Sequence, residues 1–140
     1  MTTAKLLQQW FDQVWNQSNE SYINEAMHKD VVVHGLDPTG TTHGIGTFKQ
    51  FYKSFKESFS EILVSLESLV YDEEMAAAHC TVSAHHIKGN HVTFSGLCVA
   101  KFKDGKLVEG WNNFDFLKMY QQLGHVLMAE IAEQDLPLKE

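Results

Sequence analysis

The residues best suited to chemistry fall in one run near the end of the chain, KLVEGWNNFD from Lys106 to Asp115. Read as a strand, its alternation puts Leu107, Glu109, Trp111, Asn113 and Asp115 on one face and Val108, Gly110, Asn112 and Phe114 on the other. The first set aligns an aromatic ring, an amide and a carboxylate along one wall. If that wall encloses a pocket, the carboxyl at its end is poorly solvated and its pKa rises toward neutrality, as a general acid or base requires. Asp115 also immediately precedes an expected helix, where an aspartate accepts backbone N–H bonds as an N-cap. On the residues alone both readings stand open.

Eight histidines widen the choice. In a strand expected from Met75 to Ile87, His79 shares a face with Thr81, Ser83 and His85, opposite Ala78, Cys80, Val82, Ala84 and His86. A polar face of this kind suits a polar cavity or a solvated outer surface. His34 ends a short strand, and His43 precedes an aromatic helix by one glycine, so the two can share a pocket mouth. Beyond the weak set His34, His79 and His85, no histidine grouping comes with a matching carboxylate and no HExxH occurs, so no metal site is expected. No GxSxG elbow is present, and GLDPTGTTHGIG lacks the lysine of a P-loop. Cys80 and Cys98 are not in a CxxC pattern and are expected as free, buried thiols on facing strands.

The elements that must position these groups are legible in outline. From Thr3, the residues Leu6, Leu7, Trp10, Phe11 and Val14 recur at helical spacing. A second helix is expected from Ser21 to about His28, then a short strand from Val31 to His34. Gly35 to Gly46, with four glycines, reads as an irregular loop. A third helix carries Phe48, Phe51, Tyr52, Phe55 and Phe59 as one stripe, in which Tyr52 and Phe55 are taken to line a pocket. Strands at about 62–71, 75–87, 91–102 and 106–115, joined by tight turns, form an antiparallel meander. Gly96, in mid-strand, is read as the point where the sheet bends. A last helix runs from Asp115 to a stop at Gly124, and a further short helix is expected beyond it.

These elements make one α+β domain over residues 1–140, with N-terminal helices packed over a strongly curved antiparallel sheet that forms a cone around a pocket. The 140 residues, 44% apolar, suffice for one core, burying roughly two thirds of the unfolded surface. Eleven basic against eighteen acidic residues give a net charge of −7, which disfavours nucleic-acid binding. No apolar run approaches the roughly 20 residues of a membrane span, and MTTAKLLQQWFDQV lacks the apolar core of a signal peptide. A cytoplasmic location is expected by default.

VVVHG at residues 31–35, THGIGTFKQFYKSF at 42–55, VAKFKDGKLVEGWNNFDFLKMYQQLG at 99–124 and the opening helix together resemble the SnoaL-like polyketide cyclase and ester cyclase branch of the NTF2-like superfamily. The likeness spans about residues 5 to 124 and is strongest in the last segment, which carries the pattern DGKxxExW...D...QLG. It implies an NTF2-like (cystatin-like) fold, dimers formed through the sheet, and ring closure by aldol condensation without a cofactor. An aspartate four residues after the signature tryptophan then serves as general acid and base, and by position that role falls on Asp115, beside Trp111.

The resemblance also places polar pocket residues near His34, His43 and His85. The chain departs from many relatives in having His79 close to where they carry an arginine, and it has no arginine at all. Substrates bearing a carboxylate or phosphate would lack a guanidinium fork, so a neutral ligand is preferred. The expected activity is cofactor-free acid/base catalysis of cyclase or isomerase type on a small hydrophobic carbonyl or ester compound. Its catalytic residues would be Asp115, His79 and His85, with Trp111, Asn113, His34, His43, Phe55 and Tyr52 in the pocket. The alternative is a small-ligand-binding protein without catalysis. Expected partners are the small hydrophobic molecule and a second copy of the chain.

Overall fold

A computed structural model describes residues 1–124; the helix expected after Gly124 lies outside them. The chain opens as an amphipathic helix, α1 (Thr3–Trp10), capped by the Thr2 hydroxyl, which accepts the Lys5 N–H at 3.1 Å. The expected continuous helix then widens into a π-helical turn, Phe11–Asn16. Trp10, Phe11, Val14 and Trp15 are all buried across this change. Helix α2 (Tyr22–Ala26) is shorter than expected, because Met27 is already extended and begins β1 (Met27–Asp37).

Strand β2 (Gly40–His43) follows, inside the segment expected to be irregular, and folds back on β1 with His34 opposite Thr41. Helix α3 (Ile45–Ser58) leads into β3 (Phe59–Tyr71), β4 (Met75–His86), β5 (His91–Lys103) and β6 (Lys106–Phe114), and α4 (Phe116–Gln122) closes the described chain. The last four strands form the expected antiparallel meander. Asp104 and Gly105 both take positive φ in the β5–β6 turn, as a two-residue hairpin requires. Nothing in the local sequence pattern signals that β1 returns to pair with β6 in parallel, yet that pairing completes a six-stranded sheet of order β2-β1-β6-β5-β4-β3.

The sheet is open, with β2 and β3 as separate edges, and it is not the strongly curved cone expected. Gly96 introduces no bulge between β4 and β5. The β4–β5 register runs without a break from Met75 opposite Lys101 to His85 opposite His91. Glycine is needed at 96 for another reason: a Cβ there would stand 2.4 Å from the Phe114 ring.

Helices α1 and α3 and the π-helical turn lie over one face, here called inner. On β4 this face presents Ala76, Ala78, Cys80, Val82 and Ala84, all buried. Thr3 Oγ1 lies 2.6 Å from the Asp72 carbonyl and 3.0 Å from that of Met75, fastening α1 to the β3–β4 turn. The Asn16 amide donates to the Val64 carbonyl at 3.0 Å and accepts the Val64 N–H at 2.6 Å. It thereby satisfies backbone groups that edge strand β3 would otherwise expose.

Candidate functional site

A bulge in β6 decides which residues face the helices. Lys101 pairs with Glu109 but Phe102 pairs with Leu107, leaving Val108 as the extra residue. Leu107 therefore joins Gly110, Asn112 and Phe114 on the inner face, while Glu109, Trp111 and Asn113 point outward. The inner set borders a cavity of about 90 Å³ between sheet and helices, with Trp10, Phe11, Trp15, Phe48, Phe51 and Phe55 among its other walls. Among the described residues Asn112 supplies the single amide of this lining, and no carboxylate or imidazole is part of it. The Asn112 Nδ2 donates to the His34 carbonyl at 3.0 Å. A second amide hydrogen and a carbonyl oxygen give this group further capacity for a ligand. Close approach of β1 makes the bond possible: Gly35, at φ +88, sits where a Cβ would fall 1.9 Å from the Asn112 carbonyl oxygen.

The expected site residues divide among several places. Phe55 lines the cavity. Tyr52 is buried, but its ring packs 4.9 Å from that of Trp15 and its hydroxyl donates to the Val14 carbonyl at 2.9 Å, so it braces the π-helical turn rather than the cavity wall. Burial pushes its phenol above the ordinary range. His79, Asn113 and Asp115 meet around a shallow groove on the outer face, with Leu97 and Leu117 beside them. His79, Leu97 and Asn113 form one cross-strand row there. The exposed Asp115 carboxylate accepts the Lys118 N–H at 3.0 Å and caps α4.

His34 and Trp111 belong to a different cluster on the outer face. His34 Nε2 lies 2.7 Å from Glu109 Oε2, Nδ1 lies 2.7 Å from Thr41 Oγ1, and the imidazole stacks on Trp111 with centroids 5.4 Å apart. Sequence reasoning does not mark Glu109 or Thr41 as site residues. The available signal is the placement of Glu109 two residues before Trp111, but its pairing with His34 depends on the β1–β6 contact. His85 is exposed near the far end of β4, between Glu61 and His91 on the neighbouring strands. His43 is exposed at the end of β2. Among the described residues no three His, Cys, Asp or Glu side chains are grouped to hold a metal ion, and no helix is long and apolar enough to cross a membrane.

An α+β layout of this topology, with helices laid over one face of a mixed sheet and an apolar cavity between, defines an NTF2-like protein. The chain belongs to the SnoaL-like polyketide cyclase family, whose model matches residues 5–123. Among solved structures it is similar to IdmH of Streptomyces antibioticus, a proposed polyketide cyclase, at 18% identity and a TM-score of 0.78, over 89% of this chain and 99% of that one. A proposed polyketide cyclase of Bacillus cereus ATCC 10987 is 24% identical with a TM-score of 0.76, over 86% of this chain and 79% of that one. AclR of Streptomyces galilaeus, a proposed hydroxylase, is 19% identical with a TM-score of 0.75, over 89% of this chain and 99% of that one. At these identities the likeness establishes the fold, and the different reactions ascribed to these neighbours leave the chemistry to the site. No protein of curated function matches the chain.

Residues of the signature pattern have evident structural tasks. Glu109 and Trp111 hold the His34 ring, and Asp115 caps α4. Gln122 accepts the Thr93 N–H at 2.9 Å and donates to its carbonyl at 2.8 Å. Its amide thus stands beside β5 where β6 has ended, and α4 is pinned there.

Proposed function

We propose that this protein binds a compact, neutral, largely apolar molecule in the inner cavity, with Asn112 as its polar contact. The observation that carries the reading is the lining itself: aromatic and aliphatic side chains around one amide. A wall of this kind rewards removal of apolar surface from water and leaves orientation to one hydrogen-bonding group. A charged ligand would lose its hydration and, among the described residues of the lining, find no side chain of opposite sign. The test uses methylcyclohexane and cyclohexanone, rings of similar size that differ in a carbonyl. Binding is followed by ligand-detected NMR and by emission of Trp10 and Trp15 in a Trp111→Phe protein. Saturable binding of both, tighter for the ketone, is expected; no saturable change with either ligand rejects the reading.

A second reading is cofactor-free acid/base conversion of a small hydrophobic carbonyl or ester compound by Asp115, with His79 and His85. It is supported by the meeting of His79, Asn113 and Asp115 at the outer groove. In this reading a second copy of the chain covers the outer face, where Leu63, Leu97, Trp111 and Leu117 are exposed. Covering that face would remove water from around the carboxylate. Exchange of cyclohexanone α-hydrogens in D2O, together with molecular mass by light scattering, tests both parts. Monomeric protein without exchange would rule this reading out.

A further inference from the structure

The cavity floor carries a nucleophile that ligand binding does not require. Cys98 lines the cavity, and Cys80 is not among the lining residues. The two thiols are free, buried and 3.9 Å apart, a sulfur–sulfur distance well beyond covalent length. Cys98 also pairs directly with Asn112 in the β5–β6 register. Directly opposed residues on one sheet face hold their Cβ atoms about 5 Å apart. A thiol and an amide are therefore neighbours on the same floor.

We propose that Cys98 is a covalent capture site for small apolar α,β-unsaturated carbonyl compounds, with Asn112 hydrogen-bonded to the carbonyl and Cys80 supporting the thiolate. The Cys98 Sγ forms a bond to the β-carbon, and the electron pair of the carbon–carbon double bond moves toward the carbonyl to give an enolate. The proton released by the thiol ends on the α-carbon, so the adduct is a saturated thioether and no oxidant is consumed. Confinement beside the sulfur raises the effective concentration of the acceptor. The hydrogen bond with Cys98 and, after it, burial push the Cys80 thiol up, and the same contact, 3.9 Å between the sulfurs, holds the Cys98 thiol down.

The inference rests on the cavity-binding reading, and one experiment separates the two. Native protein is incubated with 2-cyclohexen-1-one, with and without excess cyclohexanone, and adducts are located by intact mass and peptide mapping. A single adduct at Cys98 is expected, forming at least about tenfold faster than on free glutathione and slowed by cyclohexanone. Cys98→Ser should gain none, whereas Cys80→Ser should still be modified, more slowly. Cys98 modified no faster than glutathione, equal modification of both cysteines, modification only after unfolding, or no competition by cyclohexanone would each overturn the proposal. If NMR still shows cyclohexanone bound to a protein that gains no adduct, capture fails and cavity binding stands. If neither is seen, both fail.

Discussion

The Asn112 side chain donates to the His34 carbonyl at 3.0 Å, so the polar group of the inner cavity is fixed to the strand whose outward histidine stacks on Trp111. One amide thus joins the two faces of the sheet across the β1–β6 pairing. Asn112→Ala removes both the bond and the cavity's amide. Unfolding in urea should show a loss of about 1 kcal/mol, the usual net worth of one such hydrogen bond. Cyclohexanone affinity should fall by about fivefold, one lost hydrogen bond's worth, with methylcyclohexane affinity little changed. Equal weakening of both ligands would mean that Asn112 shapes the cavity without touching the carbonyl.

Asp115 invites a substitution that separates its two roles. Asparagine caps a helix nearly as well as aspartate, whereas alanine costs about 1 kcal/mol. Asp115→Ala should therefore lower stability by about that amount, and Asp115→Asn should stay close to the parent protein. If the carboxylate also moves protons, any exchange of ketone α-hydrogens should vanish in both variants, including the stable one. Exchange that survives in Asp115→Asn would leave Asp115 as a cap alone.

Local requirements were legible in the sequence, and long-range ones were not. The Asp104–Gly105 turn could be read because positive φ is a property of two adjacent residues. The parallel return of β1 onto β6 joins residues far apart in sequence, and no local pattern encodes it. Alternation in β6 failed at Val108, since one bulged residue moves everything before it to the other face. Alternation also grouped Trp111, Asn113 and Asp115 on one presumed pocket wall and left Asn112 out, because periodicity does not say which face the helices cover. Gly96 looked like a bend because a glycine in mid-strand signals either curvature or close approach, and sequence does not distinguish them. The aromatic stripe of α3 holds from Phe48 to Phe55, but Phe59, expected on the helix, already begins β3, and the stripe's width hid the fact that Tyr52 turns toward Trp15 while Phe51 and Phe55 border the cavity.

The β3–β4 turn gives the fold a pH-dependent contribution. The Asp72 carboxylate accepts the N–H groups of Met75 at 2.8 Å and Glu74 at 2.9 Å, and these bonds hold its pKa below the ordinary value. With the folded pKa depressed, its stabilisation is fully present above the unfolded value near 4 and is lost as pH falls through the folded one. The difference in melting temperature between the parent protein and Asp72→Asn should be largest near pH 6 and shrink by about pH 2. A difference independent of pH would show that the turn is held by its backbone and not by the carboxylate.

Gly96 and Phe114 provide the most stringent check on the packing of the inner face. Gly96 lies opposite Phe114 in the β5–β6 register, and a Cβ at position 96 would stand 2.4 Å from Phe114 Cδ1 and 2.6 Å from its Cα. The ring can rotate away, but the clash with the backbone cannot be relieved without opening the ladder. Gly96→Ala should thus destabilise by about 1–3 kcal/mol, as overpacking does. Phe114→Leu in the same protein should recover only part of that loss, because the new methyl would still press on the main chain of residue 114. Because Phe114 also lines the cavity, Gly96→Ala should change ligand affinity while leaving Asn112 and Cys98 unaltered. Neutral Gly96→Ala stability would mean that glycine at 96 is not set by this close approach, and full recovery by Phe114→Leu would assign the clash to the ring alone.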